Sequence, residues 1–444
     1  MEVIIENIAT YLIVIAFIAF LFYFYINKHK KHTQTTRRKI VKAKELGFNE
    51  PVSLHPVINY DICIGSAACV AACPEKDILG LVDGKAVTIN ASRCVGHGAC
   101  FHACPVQAIT LCIGTEKRGV DLPHISEEFE TTIPGIFIAG ELGGMGLIKN
   151  AVEQGKQAMS YLASNLKNKG NTKYDVVIVG AGPAGISATL EASKRKLRFV
   201  TLEQDSLGGT VFNFPRQKIV MTSPMDLPLH GKVKLSETSK LELLQLWNEV
   251  LSKNNIKINE QEKVDKIEKQ GDILLVQTNK DHYTTKAVLL SIGRRGSPRK
   301  LDVPGEEKEK VSYRLLEPEL IHNQKVLVVG GGDSAIESAM LLADENNFVT
   351  ISYRGDSFAR LKPKNLERIT NESKSGKVKI YLNSEVSEIL DNSVILKLQN
   401  TNEPLVIEND LVYIFAGGIL PTKFLEEIGI KITKKFGEAI LKHS

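Results

Sequence analysis

A chain of 444 residues, 43% hydrophobic and 24% charged, has material for about three folded units with ordinary cores, which excludes a disordered or fibrous protein. Its net charge of +5 is unevenly spread: Lys28, Lys30, Lys31, Arg37, Arg38, Lys39, Lys42 and Lys44 form one stretch with no acid among them. The remainder is therefore net acidic, which argues against a nucleic-acid partner, since that would want basic residues on the body of the protein.

In chain order, the first predicted element is Ile8 to Ile26, nineteen residues without a charge. A helix over them covers roughly 28 Å, about one hydrocarbon thickness. Tyr23, Phe24 and Tyr25 sit near its end, where an interfacial belt would lie. A cleaved signal peptide is the alternative, but Glu2 and Glu6 precede the run and no small-residue cleavage site follows. The reading is one N-terminal transmembrane helix (residues 1–27) and a basic juxtamembrane linker (28–55). Positive charge after the span places the rest on the cytoplasmic side of the cytoplasmic membrane, as a single-pass protein. A reducing compartment suits cysteines held as metal ligands.

All seven cysteines then fall between Cys63 and Cys112. Cys63, Cys69 and Cys73, closed by Pro74, recur as Cys94, Cys100 and Cys104, closed by Pro105, each displaced by 31 positions. The pattern resembles the bacterial-type ferredoxin run Cys-x2-Cys-x2-Cys-x3-Cys-Pro, in which the last cysteine of each motif serves the other cluster. Two iron–sulfur clusters are implied, one on Cys63, Cys69 and Cys104, the other on Cys94, Cys100 and Cys73. Ser66 and His97 stand where the second cysteine of each run would be. Three thiolates suit a 3Fe–4S cluster, whereas His97 or Ser66 as a fourth ligand suits 4Fe–4S. The segment from Cys94 to Cys100 resembles the three-iron ferredoxins that serve monooxygenases. A zinc site would favour closer cysteine pairs, and His97 could equally be a satisfied surface histidine. Cys112, in the apolar run Ile109 to Ile113, reads as a buried strand residue. Residues 56–118 are thus expected to form a small α+β ferredoxin-like domain.

Asp175 to Val179 is an apolar run that suits a buried parallel strand. It opens into Gly180-Ala-Gly182-Pro-Ala-Gly185, whose glycines allow a tight turn, a close approach to a pyrophosphate and close helix–strand packing. The next strand, Arg198 to Leu202, ends at Glu203, where a carboxylate would accept ribose hydroxyls. A second fingerprint follows Val326 to Val329, as Gly330-Gly-Gly332-Asp-Ser-Ala335. Its next strand, Phe348 to Tyr353, ends in no acid; Arg354 and Arg360 follow instead, and guanidinium forks suit a 2′-phosphate. NADPH is favoured over NADH on that ground, with solvated surface charge as the bland reading of both arginines.

Gly180 to Gly185, Ser291-Ile-Gly293 with Pro304-Gly305, and Gly330 to Glu337 occur in the order seen in thioredoxin reductase-like flavoproteins. Gly208 to Pro215 and Tyr353-Arg354 resemble the bacillithiol disulfide reductase-like branch of that group. The resemblance implies an α/β protein with two Rossmann-like domains, one for FAD and one for NADPH. The family's last FAD element normally closes the chain. Here Ile133 to Gly140 and Glu141, leading into Gly143 to Leu166, resemble that element but precede the first fingerprint. The chain reads as a circular permutation, with Gly140 and Glu141 as FAD contacts and the following helix aimed at the flavin. The alternative is an independent linker helix. The expected boundaries are 119–299 for a FAD domain completed by 411–444, and 300–410 for the NAD(P)H domain.

No side chain need act as a covalent catalyst. The expected function is a membrane-anchored NAD(P)H-dependent FAD and iron–sulfur oxidoreductase that passes electrons to or from a quinone or partner protein. A homodimer is left open. The alternatives are a low-molecular-weight disulfide reductase, against which the absence of cysteine in the flavin portion weighs, and a non-catalytic redox sensor.

Overall fold

The structure, a computed structural model, describes residues 2–441 apart from 46–47, 52–53, 76, 95, 97, 117–118, 145, 167–171, 216–218, 222–223, 236, 295–297, 359–360 and 400–402. The chain divides into two compact units, Met1–Gly119 with Phe436–Ser444, and Val120–Lys435.

The first unit opens with α1 (Glu2–Glu45), a single unbroken helix. Residues 28–45, expected as a linker, are therefore helical, and the sequence explains it. No glycine or proline interrupts residues 2–45, and a small or apolar stripe is hidden among the basic residues. His29, Thr33, Thr36, Ile40 and Ala43, spaced alternately four and three apart, are the shielded positions of a stretch otherwise exposed. Residues 11–26 are exposed throughout, and the helix is long and apolar enough to cross a membrane by length and composition.

After α1 come β1 (His55–Ile58), α2 (Ala68–Ala72), β2 (Leu79–Val82), β3 (Lys85–Thr88), α3 (Ala99–Ala103) and β4 (Ile109–Ile113). The shielded stripe of α1 packs on the β2–β3 hairpin. A Cβ on Gly80 would lie 2.7 Å from Thr36 Cγ2, and Thr33 Oγ1 accepts from the Asp83 N–H at 3.3 Å. Arg37 pairs with Asp83 and Lys39 with Asp77, exposed contacts that add little. β1 and the strand Glu438–Leu441 flank β4, both antiparallel to it.

The second unit begins with β5 (Val120–Pro123), β6 (Ile136–Ile138), α4 (Ile148–Asn165), β7 (Tyr174–Val179), α5 (Pro183–Lys194) and β8 (Phe199–Leu202). β9 (Ile219–Met221), β10 (Met225–Leu227), β11 (Gly231–Val233) and β12 (Glu237–Ser239) form two small antiparallel pairs before α6 (Lys240–Lys253). β13 (Val264–Gln270), β14 (Ile273–Thr278) and β15 (His282–Leu290) complete the first large sheet, in the order β13-β14-β15-β7-β8. β6 lies parallel along the C-terminal half of β15, Ile136 opposite Val288 and Ile138 opposite Leu290. Alternation sends Ile136 and Ile138 into one core with Val177 and Val179, and Phe137 into another with Met159 and Ala184. Both faces are covered, so these strands read as continuous apolar runs.

The second sheet is parallel, with its strands in the order Val311–Ser312, Leu411–Ile414, Lys325–Val329, Phe348–Tyr353 and Val378–Leu382. Its members are β16 (Val311–Ser312), β17 (Lys325–Val329), β18 (Phe348–Tyr353) and β19 (Val378–Leu382), with α7 (Asp333–Asp344) and α8 (Pro363–Lys374) between them. An antiparallel meander of β20 (Ser384–Ile389), β21 (Ser393–Leu398) and β22 (Leu405–Glu408) precedes β23 (Leu411–Ile414). Then follow α9 (Thr422–Ile428), β24 (Ile432–Lys435) and β25 (Glu438–Leu441).

The expectation that 411–444 complete the FAD domain therefore needs correction. β23 lies between β16 and β17 in the second sheet, because Val412 to Ile414 are apolar enough to be buried on both faces. Only the stretch around Leu425 and Ile430 joins the core of the first sheet, β24 pairs with β5, and β25 belongs to the first unit.

Candidate functional site

In the first unit the described residues of the two cysteine motifs share a pattern of left-handed positions. Gly65 and Gly96 take φ of 69° and 77°, and Ala67 and Gly98 take 60° and 73°, immediately before α2 and α3. Left-handed residues at alternate positions turn successive N–H groups toward one concavity, a form that receives anionic sulfur. The chain bears the strain of a non-glycine left-handed residue at Ala67 to keep that turn.

The thiols gather in two cavities. One is lined by Cys73, Cys94 and Cys100; the other is lined by Cys63, Cys69 and Cys104. The final cysteine of each motif thus stands with the other motif's pair. Among the described residues no three His, Cys, Asp or Glu side chains converge closely enough for a single ion, as tetrahedral zinc requires. The Ala108 N–H donates to Cys104 Sγ at 3.2 Å and the Ala86 N–H to Cys63 Sγ at 3.4 Å. Burial raises Cys94 to about 11 and Cys100 to about 12, against the backbone donors at Gly96 and Phe101. Bound metal would reverse that balance by stabilising thiolate. Ser66 is exposed, and its hydroxyl accepts from the Ala68 N–H at 3.4 Å. Cys112 is buried in β4. His97 lies outside the described residues.

In the second unit β7 delivers the chain into the first glycine fingerprint. Gly180 has φ of 101°, and a Cβ there would be 2.6 Å from the Ser291 carbonyl. At Gly185 a Cβ would stand 1.8 Å from the Gly180 carbonyl, so only glycine lets α5 start against the strand. A Cβ on Gly182 would meet nothing within 4 Å, and α5 has no side-chain cap, which leaves an open approach to its first-turn amides. Glu203, 5% exposed, accepts from the Ala181 N–H at 2.7 Å and the Asp205 N–H at 3.0 Å. Burial raises its pKa, with those two amides opposing. These features fit the pyrophosphate and ribose of FAD.

Gly140, with φ of 87°, ends β6 close to α5, where a Cβ would be 3.0 Å from Ala184 Cβ. Its N–H donates to Gln154 Oε1 of α4 at 2.9 Å. Glu141 follows in a short turn; burial lowers the pKa of Arg294, and the Glu141 carboxylate opposes that shift. α4 begins after Leu147, at φ of 81°, again without a side-chain cap.

The second fingerprint repeats the arrangement. Gly330 has φ of 137° and comes within 2.6 Å, by its missing Cβ, of the Phe415 carbonyl; Gly332 is open. Asp333 caps no group of its own helix but accepts from the Lys362 N–H at 3.0 Å and Asn365 Nδ2 at 2.7 Å. The Tyr353 ring lies over Gly331 and stacks on Phe358, with centroids 5.7 Å apart. Arg354 is exposed at the end of β18. Arg360 lies outside the described residues. Five further residues had no role assigned from sequence. Gly208, whose N–H donates to the Ala181 carbonyl at 2.9 Å, and Gly209 lie against the first fingerprint, and Ser291 Oγ donates to the Val179 and Gly180 carbonyls. Gln154 and Arg294 carry no motif that marks them.

Residues 177–443 match the family described as pyridine nucleotide-disulphide oxidoreductase, and residues 55–105 match the 4Fe-4S dicluster domain. Bacilliredoxin reductase Bdr of Bacillus subtilis is 27% identical over 59% of this chain and 82% of its own length. A ferredoxin–NADP reductase of Picrophilus torridus is 32% identical over 54% of this chain and 69% of its own. Among solved structures, the bacillithiol disulfide reductase Bdr (YpdA) of Staphylococcus aureus shares 25% identity and a TM-score of 0.52, over 60% of this chain and 85% of that one. The chain belongs to the pyridine nucleotide-disulphide oxidoreductase family, joined to a 4Fe–4S dicluster domain, and its cofactors are FAD, a pyridine nucleotide and iron–sulfur clusters.

Proposed function

We propose that this chain is a membrane-anchored, NADPH-dependent oxidoreductase that moves electrons between pyridine nucleotide and a further acceptor through FAD and two clusters. The observation that carries the reading is the distribution of thiols. Six cysteines surround two cavities in one unit, and no cysteine follows Cys112, so the flavin-binding portion has no dithiol of its own. FAD, when bound, accepts an electron pair from nicotinamide and can release it one electron at a time. The protein's part is placement. Gly180, Gly182 and the first turn of α5 would receive the pyrophosphate, and Glu203 the ribose hydroxyls. Arg354 would favour a 2′-phosphate. Relatives named ferredoxin–NADP reductase support the pairing, because here a dicluster domain is part of the same polypeptide.

The exposed apolar face of α1, followed by eight basic residues, supports the anchor and a cytoplasmic placement of both units. The test is anaerobic purification from membranes, iron and sulfide analysis, and EPR before and after NADPH. Clusters that gain an electron within the time flavin bleaches support the reading; clusters that stay oxidised refute it. Deleting residues 2–27 should move the protein to the soluble fraction with the EPR response intact.

Similarity to the Bdr proteins favours a second reading, reduction of a low-molecular-weight disulfide. NADPH oxidation with bacillithiol disulfide that survives loss of both clusters would support it over the first.

A further inference from the structure

Beside the two thiol cavities the first unit holds a third, of ≈ 390 Å³, open to solvent and lined by no cysteine. That size falls in the range of small-molecule sites, ~300–1,000 Å³. Its back wall is β1. Pro56 lines both this cavity and the one around Cys73, Cys94 and Cys100. Ile58 lines both this cavity and the one around Cys63, Cys69 and Cys104. Residues two apart on a strand share a face, so a single strand separates the cavity from both thiol triads. Pro56, Val57 and Ile58 give that wall an apolar surface. The remaining lining includes His55, Tyr60, Glu50 and Glu116, all groups that carry or pass protons. Glu50 accepts from Thr115 Oγ1 at 3.3 Å.

We propose that this cavity binds a small quinone-type acceptor and is the point at which electrons leave the protein. The inference rests on the function proposed above and names its acceptor class. A quinone becomes a hydroquinone by gaining two electrons and two protons. NADPH, oxidised to NADP⁺, supplies both electrons and one proton, and solvent supplies the second proton. Two one-electron centres behind one wall can deliver the electrons in sequence. Tyr60, Glu50, Glu116 and His55 give protons a route to the two carbonyl oxygens. A one-electron protein acceptor would use no such groups.

The test is equilibrium dialysis of the oxidised holoenzyme with 2-methyl-1,4-naphthoquinone, alongside EPR of the clusters after NADPH. Val57, 47% exposed, points into the cavity from the one strand, so V57W fills it without touching a thiol. V57W should weaken naphthoquinone binding at least tenfold and raise the KM for its NADPH-dependent reduction by a similar factor, with the cluster signals unchanged. V41W, which adds the same bulk on an exposed face of α1, should do neither. Wild-type binding that V57W leaves intact, or no wild-type binding at all, overturns the site. Clusters that NADPH does not reduce overturn the function instead, since dialysis reports binding without turnover. Nanodisc assays with a long-tailed naphthoquinone separate the sources of a supporting result: reduction of the tail-less compound alone marks a soluble acceptor, and reduction of both marks one drawn from the bilayer.

Discussion

Gly155 offers the sharpest test of how α4 is held against α5. It lies in the middle of α4, and a Cβ there would stand 2.0 Å from the Ala184 carbonyl oxygen and 3.0 Å from its Cα. Ala184 is in the first turn of α5, within the glycine fingerprint and next to Gly185. The obstacle is backbone, which cannot rotate away. Restoring an ordinary separation of about 3.5 Å requires α4 to retreat by roughly 1.5 Å. Overpacking of this kind costs about 1–3 kcal/mol, and a backbone clash belongs near the upper end. The retreat also draws Gln154, the adjacent residue, away from the Gly140 N–H that it accepts from at 2.9 Å. G155A should therefore lower FAD affinity about tenfold, equivalent to ~1.4 kcal/mol. It should also lower the melting temperature by roughly 6 °C, given about 2–4 °C per kcal/mol for a unit of this size. Flavin-to-protein ratio after desalting and flavin-fluorescence melting read the two effects. Tyr161, exposed on the same helix, supplies the control Y161A, with little change expected in either. If G155A keeps its flavin and melts within about 1 °C of the parent, α4 does not lie against α5, and residues 119–166 are the independent linker helix.

The cysteine arrangement makes a paired prediction: C104S and C63S should perturb one EPR signal and C73S and C94S the other, each variant losing about half the iron when the ligand is lost. Sorting by motif, with C104S behaving like C94S, would contradict the cross-motif cavities. At the second fingerprint, R354A should raise the KM for NADPH about tenfold, the worth of one charge-assisted contact, and leave that for NADH unchanged; equal effects on both would make Arg354 plain surface charge. Glu306 predicts a pH dependence. Burial pushes its carboxyl up, but the Tyr313 hydroxyl and the Leu301 and Asp302 N–H groups more than offset this and hold its pKa below 4.5. A depressed folded pKa gives stability that is complete above the ordinary value and is lost as pH falls through the folded one. E306Q should melt roughly 3 °C below the parent at pH 7, a loss of about 1 kcal/mol after solvent screening. The gap should narrow as pH falls below 4.5 and close once pH passes below the depressed folded pKa, and a constant gap would show that the charge is not responsible.

The parts legible in the sequence were those with a short-range physical signature. Two glycine fingerprints between apolar strands, and a cysteine pattern repeated at 31 residues, each constrain backbone within a few positions: strands precede both fingerprints, and the six repeated cysteines line two cavities. What escaped had no local mark. Residues 28–45 read as a basic linker because eight charges dominate the composition, yet Thr33, Thr36 and Ala43 define a buried stripe with coiled-coil spacing. Leu411 to Ile414 could serve either sheet by pattern alone, and only pairing with Val326 to Val329 decides. Gln154 and Arg294 matter through partners distant in sequence, Gly140 and Glu141.

The strand pairings also account for why so large an insertion is tolerated. A folded unit placed inside another needs its own two ends adjacent, and the host needs the two ends of its gap adjacent. Within the second unit, β5 pairs with β24 so that Val120 stands opposite Lys435, the first and last residues of that unit. Within the first unit, β25 pairs with β4 so that Glu438 stands opposite Ile113. β24 is thus the last strand of the second unit, beside β5, and β25 closes the sheet of the first unit, where Leu111 and Ile113 of β4 are buried almost completely. Cutting the chain after Lys435 should therefore destabilise the cluster domain, although every cysteine is retained. Loss of iron from such a protein, with flavin still bound, is the result that distinguishes a structural third strand from a dispensable tail.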